Sequence, residues 1–190
     1  PTICNGSSAN ISLGSYLGNI LDWESDASSS FGAPTSLGLT SNPITVSPTS
    51  TLWYRAVIGS GVCTTYSTPI EIKVYDVPTN TIAAVASPIC SSTASQLNLS
   101  SASTTTGVTV YSITSDYPSA NSSVYNSTTE PTSPYTVPAA YVNPNGTTNY
   151  TYTVTTAPCA AASASASITV DPAPTVTLTS SVATICDGGS

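Results

Sequence analysis

Short stretches of alternating apolar and polar residues dominate this chain, and each is closed off by proline, glycine or asparagine. In the N-terminal half the alternation predicts strands near 10–13, 20–24, 43–46, 52–58 and 66–75. In the C-terminal half it predicts strands near 81–86, 95–99, 108–114, 134–138, 148–156 and 164–171. Clusters such as Ser41-Asn-Pro43, Pro48-Thr-Ser50 and Asn143-Pro-Asn-Gly146 supply the turns between them. No window shows apolar residues at helical spacing with caps and a charged face. Short strands at this density predict an all-β chain, organised as β-sandwiches.

A long period overlies the short one. Pro1-Thr-Ile-Cys-Asn-Gly-Ser-Ser8, Pro88-Ile-Cys-Ser-Ser-Thr93 and Ala183-Thr-Ile-Cys-Asp-Gly-Gly-Ser190 share one pattern, with cysteines at 4, 90 and 186. Ala9-Asn-Ile-Ser-Leu13 then matches Ser95-Gln-Leu-Asn-Leu99. Later in each repeat an alternating strand, a cysteine and a second strand follow in order. The first copy has Leu52–Ile58, Cys63 and Ile70–Tyr75; the second has Tyr150–Val154, Cys159 and Ser165–Val170. Val77-Pro-Thr79 and Pro172-Ala-Pro-Thr175 close the two copies. A period of this length means an array of domains. The expected division is a first sandwich over 1–78 without its first strand, a second over 79–173, and the start of a third repeat over 174–190.

Composition agrees with strands and narrows the chemistry. Val, Thr and Tyr are frequent, there is no Met and only one Phe, and the strong helix formers are scarce. The 190 residues carry two cations, Arg55 and Lys73, against nine carboxylates, for a net charge of −7. Binding to nucleic acid needs cations that displace condensed counterions, so that class is excluded, and an anionic membrane surface is disfavoured on the same ground. No apolar run approaches the ~20 residues of a membrane helix, so direct membrane insertion is not expected. The missing signal peptide and initiator Met suggest a mature or excised piece.

Five cysteines, none in a CxxC pair, and no histidine leave no ligand set for zinc. Their spacing matches one pair per repeat with one left over. The expected bridges are Cys4–Cys63 and Cys90–Cys159, each closing a loop of about 60–70 residues for roughly 4 kcal/mol in the chain-entropy model. Cys186 is then unpaired or engaged between repeats. Such bridges imply an oxidising compartment; buried free thiols are the alternative.

The same segments resemble the tandem immunoglobulin-like repeats of giant cell-surface adhesins of the Bacteroidetes, including gliding-motility adhesins. The matching stretches are PTICNGSSA at the start, SPTSTLWYRAVIGSGVC at 47–63, IEIKVYDVPT at 70–79 and ITVDPAPTVTL at 168–178. In the second repeat Tyr111 stands near the position of Trp23. The resemblance implies an outer-surface protein exported by a dedicated secretion pathway, and it carries no catalytic residues.

Candidate sites are few. Asp22, Glu24 and Asp26 offer the oxygen ligands that Ca²⁺ takes, but the run lacks the glycine and full spacing of a calcium loop and has no counterpart in the second repeat. An acidic solvated turn is the simpler reading, and calcium is expected to be dispensable. Trp53, Tyr54 and Trp23 would suit a stacking platform for sugar rings. In a period-two strand, however, Trp53 and Tyr54 face opposite ways, and Trp23 resembles the inner tryptophan of an immunoglobulin sandwich. Serine is abundant, yet no histidine exists to activate it, and no cofactor is implied. A paired-carboxylate glycosidase from Asp22, Glu24 or Glu71 needs a cleft that modules of this size rarely offer. A Lys73 isopeptide cross-link cannot be general, since the second repeat has no lysine. Asn-X-Ser/Thr sequons at 5, 10, 98, 121, 126, 145 and 149 leave glycosylation open, most plausibly on the loop 115–134.

The expectation is therefore a non-enzymatic, extracellular stalk or filament segment on a bacterial surface, whose partners are neighbouring repeats or copies of itself. A carbohydrate-binding module for surface polysaccharide is the alternative. The missing first strand can be supplied by a longer polypeptide, or by the 175–190 segment of one subunit adding to the next.

Overall fold

The computed structural model describes residues 1–103 and 108–179. It is built from strands, with one short 3-10 turn at Ala139–Tyr141. In the N-terminal part these are β1 (Thr2–Cys4), β2 (Ala9–Ile11), β3 (Asn19–Asp26), β4 (Thr35–Ser36), β5 (Ile44–Val46), β6 (Leu52–Ser60), β7 (Cys63–Tyr66) and β8 (Ile70–Tyr75). The C-terminal part follows with β9 (Thr79–Ala84), β10 (Ile89–Cys90), β11 (Gln96–Ala102), β12 (Thr109–Ser115), β13 (Ser122–Ser127), β14 (Tyr135–Thr136), β15 (Thr147–Thr156) and β16 (Ala162–Asp171).

One sheet runs β1-β8-β6-β3-β4, with β7 also on β6, and faces the pair β2-β5. A second sheet runs β10-β16-β15-β12-β13 and faces β14-β11-β9. The two halves therefore share one strand order. In each, a short strand pairs in parallel with the last long one, β1 with β8 and β10 with β16, while the other ladders are antiparallel. This is the arrangement of an immunoglobulin-like sandwich, in tandem. Among the described residues, β2 is paired by β5.

Period-two alternation explains the cores. Ile20, Trp23, Tyr54, Ala56, Ile58 and Ile72 fill the first together with Ile11, Ile44 and Val46 from the facing pair. Leu97, Leu99, Ile113, Val137, Tyr150, Tyr152, Val154, Ile168 and Val170 fill the second. Ladder register makes the repeats comparable residue by residue. Buried Ser25 lies opposite Tyr54, and buried Ser115 opposite Tyr150. One layer along, Trp23 faces Ala56, whereas Ile113 faces Tyr152. The bulky ring has crossed the ladder, from β3 in the first core to β15 in the second, with a smaller partner opposite each time. This conserves core volume, which close-packed interiors require. Ile113, not Tyr111, thus occupies the layer of Trp23.

Five strands escape the sequence pattern, among them β7, whose four residues Cys63–Tyr66 precede the expected strand at 66–75 almost entirely. β1 and β10 lie in the cysteine motifs and have three and two residues, too few to show alternation. β4 has two residues. β13 runs through a Ser/Asn-rich stretch that reads as loop, but Val124 and Tyr125 pack against the second core.

Candidate functional site at the junction of the two sandwiches

Strand β8 ends at Tyr75, and only Asp76, Val77 and Pro78 separate it from β9. Pro78 is fully buried. Its fixed φ and lack of an N–H donor suit it to a tight connection rather than a flexible linker. The chain returns to this point from both sides. Asn5 N–H donates to the Tyr75 carbonyl at 2.7 Å, and the Asn5 amide donates to the Asp76 carboxylate at 3.3 Å. From the second sandwich, the Cys159 Sγ lies 3.7 Å from the Tyr75 carbonyl oxygen, and the Asn80 amide donates to the Tyr152 carbonyl at 2.5 Å. A shallow cleft of ≈370 Å³ remains, lined by Asn5, Asp76, Val77, Thr79, Ala102 and Ser103.

Across this junction Cys4 is bonded to Cys159, with Cα atoms 5.6 Å apart and a sequence separation of 155. The expected bridges Cys4–Cys63 and Cys90–Cys159 are not formed, and Cys63 and Cys90 are free and exposed. Strand register gives the reason. Cys4 pairs with Tyr75, beyond the Leu52 end of β6, while Cys63 pairs with Ser60 at the other end. A nine-residue strand puts them on the order of 30 Å apart. Cys90 pairs with Asp171 at the C-terminal end of β16, and Cys159 sits in the turn before its N-terminal end. Ten residues of strand again separate the two by on the order of 30 Å. A disulfide needs Cα atoms within about 7 Å. The cysteine near the start of a repeat thus lies at the bottom of its sandwich, and the one near the end lies at the top. Among the described residues, only cysteines of adjacent sandwiches meet. Cys186 lies outside the described residues.

The acidic run does not form an oxygen cage. Asp22 accepts from Trp23 N–H and the Ser36 hydroxyl. Glu24 is ion-paired to Arg55 at 2.7 Å. Asp26 accepts from the backbone N–H groups of Ser28 at 2.9 Å and Ala33 at 3.0 Å, and these hydrogen bonds hold its carboxyl below the usual aspartate value. Among the described residues no cluster of three His, Cys, Asp or Glu side chains is placed to hold a metal ion.

The aromatic platform is likewise dismantled. Trp23 is 1% exposed, with its indole N–H donating to the Ser41 carbonyl at 3.0 Å, and Tyr54 is buried in the same core. Trp53 alone reaches the outer face, half-buried. What the outer face does assemble is Arg55, whose guanidinium lies 4.2 Å from the Phe31 ring centre and 3.9 Å from that of Tyr66. With Glu24 this makes a charge-balanced cluster around Arg55.

A family model described as "Domain of unknown function (DUF8696)" matches residues 1–76. No curated protein sequence matches the chain. Among solved structures, the chain is similar to the fibronectin(III)-like modules of Clostridium thermocellum CbhA, at 14% identity and TM-score 0.38, covering 90% of this chain and 89% of that one. It is also similar to the N-terminal four Ig domains of Dscam1 isoform 6.9, at 12% identity and TM-score 0.47, covering 91% of this chain and 43% of that one. The mouse nectin-like molecule 4 ectodomain matches at 10% identity and TM-score 0.38, with 90% and 57% covered. The chain spans less than two thirds of the Dscam1 and nectin-like chains.

Proposed function

We propose that this chain is a non-enzymatic structural segment of a repetitive extracellular stalk or filament, in which stapled sandwiches hold their neighbours at a fixed spacing. The observation that carries the reading is the Cys4–Cys159 bridge across a three-residue connection. A disulfide within one sandwich protects that sandwich; this one restrains the angle between two. Such a bond persists in an oxidising compartment, which supports an extracellular setting. No helix among the described residues is long and apolar enough to cross a membrane. The resemblance to Bacteroidetes adhesin repeats adds the outer surface of a bacterium, and neighbouring repeats as the partners.

Small-angle scattering with and without reductant tests this role. A stalk segment gives one narrow interdomain geometry when oxidised and a broader one when Cys4–Cys159 is opened. Unchanged scattering contradicts the role. A glycan array with the intact chain tests the carbohydrate alternative: specific binding lost in Trp53→Ala would replace the stalk reading with a recognition module.

A further inference from the structure

Ladder register sets Ser25 opposite Tyr54 in the first sandwich and Ser115 opposite Tyr150 in the second, with all four side chains buried. In the second sandwich the chain itself satisfies both hydroxyls. Ser115 donates to the Tyr117 carbonyl at 2.6 Å, and Tyr150 donates to the Tyr141 carbonyl at 2.9 Å. Tyr141 ends the 3-10 turn in the connection 137–146, between β14 and β15. The matching connection between β5 and β6 spans only 47–51 and contains no such turn, so no carbonyl caps Tyr54 in this way. Ser25 is 7% exposed and Tyr54 3% exposed, yet neither hydroxyl has a hydrogen-bond partner among the described residues. A buried hydroxyl left unpaired is costly, and native folds keep few of them.

Both side chains line one open-sided cleft of ≈310 Å³. Its walls are Leu37, Leu39, Val46, Pro48 and Leu52, and no charged side chain lines it. Every lining group comes from residues 25–54, on the flank of the first sandwich where β4 and β5 are the outer strands. Burial raises the pKa of Tyr54, which keeps its hydroxyl protonated and able to donate.

We propose that this cleft binds a small, neutral, amphipathic molecule, with its apolar body against the leucines and a hydroxyl or carbonyl head on Ser25 and Tyr54. Each protein hydroxyl offers one donor and two acceptor positions, so the pair can bracket one such head. A charged head would lose its hydration here without meeting a counter-charge, which selects against acids and amines. The volume lies at the low end of small-molecule sites, about 300–1,000 Å³, and suits a ligand of one ring. The site goes beyond the stalk role and shares no residue with the Cys4–Cys159 bridge.

The test titrates cyclohexanol into the intact, oxidised 190-residue chain and follows backbone amide resonances by NMR. Saturable shifts should be confined to Ser25, the segments 37–39 and 45–48, Leu52 and Tyr54. Tyr54→Phe keeps the ring and removes only the hydroxyl, and it should weaken binding about fivefold to tenfold, the value of one neutral hydrogen bond. Tyr150→Phe removes the equivalent hydroxyl, already engaged by Tyr141, and should leave the affinity unchanged. Cyclohexanecarboxylate should not bind. The amide spectrum of each variant reports directly whether it is folded, and Ser25→Ala provides a second hydroxyl deletion with the same expected weakening. Shifts that do not saturate or that spread over both sandwiches would mean that the cleft holds only water. That result, equal affinity in the Tyr54→Phe and Ser25→Ala variants, or equal binding of the carboxylate would each overturn the proposal.

Discussion

Cys4 and Cys159 are bonded to each other across the boundary between two sandwiches, and each lies on the order of 30 Å from the cysteine of its own repeat. The bridge closes a loop of 155 residues, for which the chain-entropy model gives about 5 kcal/mol. That stabilisation is felt by both sandwiches together, since neither holds both cysteines.

Reduction, or Cys4→Ser, should therefore lower the unfolding temperature and split a joined transition into two. Differential scanning calorimetry with and without reductant reads this directly. A single transition unchanged by reductant would mean the bridge couples nothing.

The two tryptophans should behave oppositely. Trp23 is enclosed by the first core and hydrogen-bonded to Ser41, so Trp23→Ala should cost about 3–5 kcal/mol. Trp53 lies on the outer face, and Trp53→Ala should cost under about 1 kcal/mol. Urea unfolding of the two variants measures the contrast.

Much of this was legible in the chain itself. Alternation located the long strands, and the repeated cysteine motif revealed the tandem plan. The bridge was not legible, because sequence spacing says which cysteines are equivalent but not at which end of a sandwich each lies. Only the register of β1 on β8, set by a three-residue strand without alternation, places Cys4 at the bottom. The bulky core position was hidden for a related reason: Trp23 and Tyr152 fill equivalent space from opposite sides of a ladder, so no linear alignment pairs them.

Chelation should leave the fold intact. Asp22, Glu24 and Asp26 already have separate partners, so EDTA should shift the melting temperature by no more than a degree or so. A fall of many degrees would show that a cation bridges them. Acid should matter locally: the depressed Asp26 value means that its turn gains stability above the unfolded-state pKa of about 4 and loses it as pH falls through the folded value.

Alkali should unfold the second sandwich. Burial raises the pKa of Tyr150 and Tyr152 above the usual tyrosine value of about 10. A raised folded-state pKa contributes stability that is complete below the unfolded value and is lost as pH climbs through the folded one. Stability should thus fall from about pH 10 upward. Tyr150 donates to the Tyr141 carbonyl at 2.9 Å, and Tyr150→Phe should cost about 1 kcal/mol. The buried Tyr152 hydroxyl has no geometric hydrogen-bond partner among the described residues, so Tyr152→Phe should cost less. Circular dichroism against pH and urea tests both statements.

The cysteine connectivity is the most direct test, and the sequence makes it simple. Trypsin can cut only after Arg55 and Lys73, giving the fragments 1–55, 56–73 and 74–190. Digesting the oxidised, thiol-blocked monomer without reductant should leave 1–55 bonded to 74–190 and should release 56–73 alone, its Cys63 carrying the blocking group. Recovery of 1–55 bonded to 56–73 would place the bridge inside the first sandwich and contradict the account of a stapled junction.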